Sequence, residues 1–280
     1  MTRRAAVTGA SGYLGSTLVR ALDGNGWRTI RLQRVPIASQ DRRFVLGSPV
    51  GRAELEGVDL LVHAAYDMRL TREQDIWDIN VRGTQMLLEA ARDAGIARII
   101  VLSSMSAFDG TTQIYGRAKL AIERIAFALG AAVVRPGLVV GPQPGGMAKT
   151  LARLVSLPLT PCVSGAGLQY PLRETDFVAA MLVLAEAAEL PLSPLGLASA
   201  RPVPFDELLR LIASGAGLHS PRLVPVPHQL VSGVLRAAEW LRLPIPIRSD
   251  SLLGLLRPAP SVPGVDDLKK LGVSASTIFS

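Results

Sequence analysis

An apolar run, three glycines at three-residue spacing and an amphipathic stretch follow one another near the start of the chain: RAAVTGASGYLGSTLVRAL, residues 4–22. Residues 4–10 read as a short buried strand, and Leu14, Leu18, Val19 and Leu22 then recur at helical spacing. Gly9, Gly12 and Gly15 therefore fall between a strand and the helix it feeds. Glycine there permits a tight turn and lets the backbone approach a pyrophosphate, while the helix N-terminus offers free N–H groups and partial positive charge. Three glycines alone mean little in a chain that has 26 of them. Their setting carries the weight, and dinucleotide binding is the expectation.

The alternation continues. WRTIRLQR (27–34) and VDLLVHAAY (58–66) are strand candidates, and a helical pattern covers 71–94 before Gly95 stops it. ARIIVLSS reads as a strand, YGRAKLAIERIAFAL as a helix, and AAVVRPGLVV as one more strand. Strand and helix in turn predict an α/β fold: a doubly wound, Rossmann-like parallel sheet with helices on both faces. Continuous apolar strands such as RIIVL agree, because parallel sheets are buried on both sides. Ligands in such sheets lie beyond the carboxyl ends of the strands. After about Gly141 the pattern loosens, and most of the 20 prolines lie there. Helix candidates are 147–155, 174–188, 205–214 and 228–241. The expected division is a dinucleotide-binding domain over 1–141 and a small, mostly helical substrate-binding cap over 142–280. Residues 170–199 are candidates to return to the main sheet, which would interleave the two.

Hydrophobic residues make up 49% of 280, enough for a sizeable core, and aromatics only 5%, so Ala, Val, Leu and Ile must build it. The formal net charge is +7, but the cations are dispersed and no aromatics interleave with them. That favours a generally basic surface and an anionic, phosphate-bearing small molecule over nucleic acid. A single cysteine, Cys162, rules out an internal disulfide framework and points to a reducing, cytoplasmic compartment. The N-terminus reads as structure and not as a signal peptide. The longest uncharged run, Leu154 to Leu172, holds three prolines and is a poor membrane span. His63, His219 and His228 have no metal-ligand spacing, and no metal site is expected.

Tyr115 and Lys119 stand four apart at the start of a predicted helix, so they share a face. A neighbouring ammonium favours a phenolate and lowers the phenol's pKa from about 10. Such a phenol can donate and accept a proton, and a hydroxyl on the preceding strand end can hold a substrate oxygen. Ser103, Ser104 and Ser106 are the candidates; neighbours on a strand point oppositely, and Ser104 is the choice among them. With a hydride carrier alongside, this is equipment for interconverting an alcohol and a ketone. At the end of the second strand, Gln33 stands where an acid would hold the ribose of NAD. Arg34 follows and Arg31 is near, with no carboxylate in the stretch, so NADP is preferred to NAD. Both arginines also suit an ordinary basic surface.

VTGASGYLG, DLLVHAAY, NVRGTQMLLEAARDAGIARIIVLSS, YGRAK and RPGLVVGP together resemble an extended-type short-chain dehydrogenase/reductase, more narrowly the NAD-dependent epimerase/dehydratase family. The resemblance spans residues 7 to 142 and implies roles by position. Gly9, Ser11, Gly12, Tyr13, Leu14 and Gly15 would hold the pyrophosphate, with Arg34, Ala64 and Ala65 on the adenosine side. Asn80 would be the structural Asn of the central helix. Tyr115 would be the acid/base, Lys119 would also bind the nicotinamide ribose, and Pro136 to Leu138 would lie beside the nicotinamide. Met105 stands where the family often has Ser or Thr, and Gly47-Ser48 where it often has Gly-Asp. The stretch from Ser104 to Tyr115 is also shorter than in typical sugar-nucleotide epimerases. The implied activity is hydride transfer at a secondary alcohol or ketone carbon, on a nucleotide-linked sugar. The alternatives are reduction of a non-sugar ketone or aldehyde, and a non-catalytic cofactor-binding scaffold or redox sensor. The helices over 71–94 and 115–129 offer faces on which two copies could pair.

Overall fold

The structure, a computed structural model, describes residues 3–199, 201–241 and 249–273. The outer ends of both expected domains, and 242–248 within the cap, lie outside those residues.

In chain order the first half is β1 (Arg4–Thr8), α1 (Tyr13–Gly24), β2 (Arg28–Gln33), β3 (Arg42–Arg43), β4 (Leu60–His63), α2 (Glu73–Ile76), a π-helical stretch (Trp77–Arg82), α3 (Gly83–Asp93), β5 (Arg98–Leu102), α4 (Ile114–Ala128) and β6 (Ala132–Pro136). The second half is β7 (Leu138–Val140), α5 (Gly146–Val155), β8 (Thr160–Ser164), β9 (Pro171–Arg173), α6 (Glu174–Glu186), β10 (Leu195–Leu197), α7 (Phe205–Gly215), β11 (Leu223–Pro227), α8 (His228–Trp240), α9 (Ser249–Leu256) and α10 (Val265–Lys270).

Seven strands form one parallel sheet in the order β10-β6-β5-β4-β1-β2-β3. The order reverses between β1 and β4, which opens a crevice at their carboxyl ends. The strands β1, β4 and β5 are almost wholly buried, as their unbroken apolar runs require. On one face Leu18, Val19 and Leu22 of α1 pack with Phe177, Met181 and Leu184 of α6; Leu268 of α10 joins the same cluster. On the other, Leu87, Leu88 and Ala91 of α3 pack with Ala118, Ile122 and Ala126 of α4. A separate small core forms where α5 meets α7, around Leu151, Val155, Phe205, Leu208 and Ile212.

Two expectations change. AAVVRPGLVV is two strands, not one: β6 stays in the main sheet, while β7 pairs with β9 in a sheet of two. The break falls at Gly137, where an added Cβ would lie 2.1 Å from the Tyr170 carbonyl. The segment 71–94 is helical from Glu73 but π-wound in its middle, over Trp77–Arg82. Such widened turns often occur at functional sites, and this one carries Asn80.

Candidate active site

The glycine loop is held against the end of β4 by contacts that exclude any side chain. Gly9 has φ +65, and an added Cβ would sit 2.8 Å from the Ala64 carbonyl carbon. A Cβ on Gly15 would sit 2.1 Å from the Gly9 carbonyl oxygen. No side chain caps α1 at Gly12, and no acid stands in its first turn. This cradle fits a dinucleotide: the N–H groups at the head of α1 are open to an anion, with no carboxylate on that turn to oppose it.

Thr8, at the end of β1, ties the two strand ends together. Its hydroxyl accepts from the N–H groups of Ala64 (3.0 Å) and Ala65 (3.1 Å) and lies 2.8 Å from His63 Nδ1. Thr84 donates its own proton to the Asn80 carbonyl at 2.6 Å, so it can only accept from His63 Nε2, 2.9 Å away. His63 therefore carries its proton on Nε2, and its Nδ1 accepts from Thr8. Burial, and after it the Lys119 charge, push its pKa down to about 3, so the ring is neutral. Asn80 is wholly buried, and its Oδ1 accepts from the Asp67 N–H at 2.7 Å, fixing the loop after β4.

Beyond these strand ends lies a cavity of about 590 Å³. Gly9, Gly12, Tyr13, Leu14, Gly15 and Ala64 line one side; Ser104, Tyr115, Lys119, Pro136 and Leu138 line another. Ser11, Arg34, Ala65 and Asn80 stand outside its wall. Tyr13 packs under Gly145 and donates to Glu174 Oε2 at 2.5 Å; burial and that carboxylate push its phenol well up.

The three serines separate clearly. Ser103 donates to the buried carboxylate of Glu123, which Arg135 holds from the other side at 2.6 and 2.8 Å. Ser104 Oγ accepts from the Ser106 N–H at 3.1 Å, and its hydroxyl is near enough to the Tyr115 phenol to favour the phenolate. Lys119 is buried and donates to the Leu102 carbonyl at 2.8 Å. Its ammonium lies 4.8 Å from the Tyr66 ring centroid and 5.9 Å from that of Tyr115. The Tyr66 ring meets the Tyr115 ring edge-on at 5.1 Å.

The electrostatics correct one expectation. Burial pushes Tyr115 up to about 12, and only the Ser104 bond pulls it down; Lys119 does not lower it. Burial also brings Lys119 itself down to about 8, against the Glu123 carboxylate, which raises it. A carboxylate also stands at the end of β2, contrary to the sequence reading. Asp41 folds back there and accepts from Arg31 (2.8 Å), Gln33 (2.6 Å) and the N–H groups of Ile37 and Ala38 (both 2.9 Å). Burial works to raise its pKa, but the two amides and Arg31 outweigh that and hold it below the usual range. Arg31 is thus engaged, whereas Arg34 is exposed. Asp67 at the β4 end is held low first by Arg69, and more weakly by Arg34, which places Arg34 near the crevice.

Sequence reasoning missed the roof. Asp250, Ser251, Gly254, Leu255, Arg257, Pro258 and Ala259, on and after α9, complete the cavity wall. Asp250 accepts from the N–H of Ile114 (2.8 Å) and of Tyr115 (3.3 Å), capping α4 from another element. Met105 is buried with Ala198 and Ala259 and makes that side of the wall apolar. No short motif marks α9; only its amphipathic pattern could have suggested it.

The family model for the NAD dependent epimerase/dehydratase family matches residues 5–189. The chain belongs to that family. Membership makes it an NAD-dependent enzyme of the extended short-chain oxidoreductase, epimerase and dehydratase group. It is 30% identical, over 82% of its length and 76% of the relative's, to a ceramide reductase of Caulobacter vibrioides (strain NA1000 / CB15N). It is 26% identical, over 77% of its length and 82% of the relative's, to a dTDP-4-dehydro-6-deoxy-D-allose reductase of Streptomyces bikiniensis. Other matches are shorter: one to a sterol demethylase protein B of Methylococcus capsulatus (strain ATCC 33009 / NCIMB 11132 / Bath), at 36% identity, spans 36% of this chain and 34% of that protein. Among solved structures, MoeE5 in complex with UDP-glucuronic acid and NAD superposes with a TM-score of 0.66 at 25% identity, covering 80% of this chain and 85% of that one. No helix among the described residues is long and apolar enough to cross a membrane.

Proposed function

We propose that this chain is a reductase of a non-sugar ketone, interconverting it with the secondary alcohol, with Tyr115 as the acid/base. The carrying observation is that Ser104, Tyr115 and Lys119 line the same cavity as the glycine loop. A bound nicotinamide supplies the hydride. Tyr115 gives its phenolic proton to the carbonyl oxygen, and Ser104 donates to that oxygen and holds it in place. Lys119 lines the same cavity and would hold the ribose of a bound nicotinamide. His63 and Thr8 keep the strand ends at the spacing the cradle needs. Residues up to 141 serve as the dinucleotide-binding part and the described residues after it add to the substrate wall, with β10 alone of the later strands joining the main sheet. A buried phenol and a buried ammonium lining one cavity argue against a non-catalytic scaffold.

The wall favours an apolar substrate over a nucleotide-linked sugar. Met68, Leu70, Met105, Met147, Leu151 and Leu255 line it, and among the described residues its only charged ones are Lys119, Asp250 and Arg257. A nucleotide sugar brings two phosphates and several hydroxyls, which require many charged and polar partners. The dTDP-sugar and UDP-sugar relatives keep the sugar reading alive as the second one. For the cofactor we favour NADPH, because Arg34 is the exposed cation at the end of β2, near the crevice.

Steady-state turnover of long-chain ketones and of 4-keto nucleotide sugars tests the reading. Tyr115→Phe should keep cofactor affinity and lose about 10²–10⁴ in kcat; undiminished turnover would sink the mechanism. Turnover confined to the sugars would replace the first substrate reading with the second. Arg34→Ala should lower the ratio of kcat/KM for NADPH over NADH by about tenfold, roughly the worth of one charge-assisted contact; an unchanged ratio would remove Arg34 from cofactor choice.

A further inference from the structure

We infer that Gln113 is a specificity-determining residue: its side-chain carbonyl accepts a hydrogen bond from an O–H or N–H carried near the ketone of an apolar substrate. The inference rests on the reductase reading above and deepens it.

Gln113 occupies the position just before α4, with extended backbone. A side chain there ordinarily caps the helix by accepting from its first N–H groups. Gln113 makes no such bond, because Asp250 of α9 already takes the N–H groups of Ile114 and Tyr115. Its amide is thereby left for something else. The residue is 8% exposed and lines the cavity, and its Oε1 has no hydrogen-bond partner among the described residues.

The side chain is held where it is. An added Cβ on Gly254 would lie 3.1 Å from Gln113 Oε1 and 3.2 Å from Nε2. The amide therefore lies flat against the backbone of α9, and glycine at 254 leaves it room. Around it the wall is apolar, including Ile114 and Leu255. A buried carbonyl with no partner is costly in such surroundings, and a ligand that donates to it relieves that cost. A ligand of the same shape without the donor leaves the cost in place. This asymmetry is what lets a polar group in an apolar site discriminate strongly. Gln113 and Tyr115 line the same cavity from neighbouring backbone positions, so one ligand can meet both. The substrate class is an apolar-chain ketone that also bears a hydroxyl or amide N–H.

Two matched probe pairs test this: a long-chain α-acetamido ketone with its N-methyl derivative, and a long-chain α-hydroxy ketone with its methyl ether. Binding is measured on the NADPH-loaded Tyr115→Phe protein, and kcat/KM on the wild type. The donor-bearing member of at least one pair should bind about tenfold to a hundredfold tighter. In Gln113→Leu, with folding checked by its melting temperature, that ratio should fall to near one. Equal binding within both pairs on the Tyr115→Phe protein overturns the inference even if the Gln113→Leu variant fails to fold. A folded Gln113→Leu that keeps the preference also overturns it. Preferential binding with no turnover of any ketone would remove the reductase reading and leave the role of Gln113 standing; turnover without preference would do the reverse.

Discussion

His63 and Lys119 are both buried cations-in-waiting, and burial resolves each of them differently. His63 stays neutral because Thr8 and Thr84 satisfy both ring nitrogens and the site gives its charge no compensation. Its folded pKa, about 3, lies below the ordinary value of 6.5. Between those values the unfolded chain binds a proton that the native one does not, so stability falls as pH drops through that window and is whole above it. In urea unfolding, wild type should lose about 2–3 kcal/mol through this group between pH 6.5 and 4.5. His63→Gln should lack that component, so the gap between the two proteins narrows as pH falls. A gap independent of pH would show that His63 is not held neutral. Lys119 keeps its hydrogen bond to the Leu102 carbonyl but burial brings it down to about 8.

The helix α4 carries the Tyr115 phenol and is fixed at both its head and its flank. At the head, Asp250 of α9 caps it; at the flank, Glu123 is gripped by Arg135 of β6 and Ser103 at the end of β5. Asp250→Ala should cost about 0.5–2 kcal/mol, the usual worth of a cap. Because the same carboxylate also ties the roof to Tyr115, kcat should fall with it; wild-type stability and kcat together would show the contact to be idle. Legibility in the sequence follows the range of the interaction. YGRAK could be read because Tyr115 and Lys119 meet through helical spacing alone. Asp250 is 136 positions from Ile114, and no local pattern announces that contact. Asp41 shows the same limit at short range: eight residues beyond Gln33, it returns to the strand end through a turn the sequence does not specify. The strand break at Gly137 escaped for a similar reason, since the obstacle there is the distant Tyr170 carbonyl.

In the whole molecule, the parallel sheet was legible because buried parallel strands are written as short apolar runs separated by amphipathic helices, each run punctuated by glycine. The roof was not, because α9 touches the site with Gly254 and Leu255, residues that also suit any apolar helix. The result is a cofactor cradle facing a largely apolar chamber. The proposed reductase would pass its hydride on to the product, whereas an epimerase would return it to the same substrate. The most direct test supplies NADPH bearing deuterium at the transferable position of the nicotinamide, together with a long-chain ketone, and follows the label by mass spectrometry. The account predicts one deuterium on the carbinol carbon of the alcohol product with wild type, and almost none with Tyr115→Phe at equal cofactor binding. An unlabelled product, or equal labelling by both proteins, would contradict it.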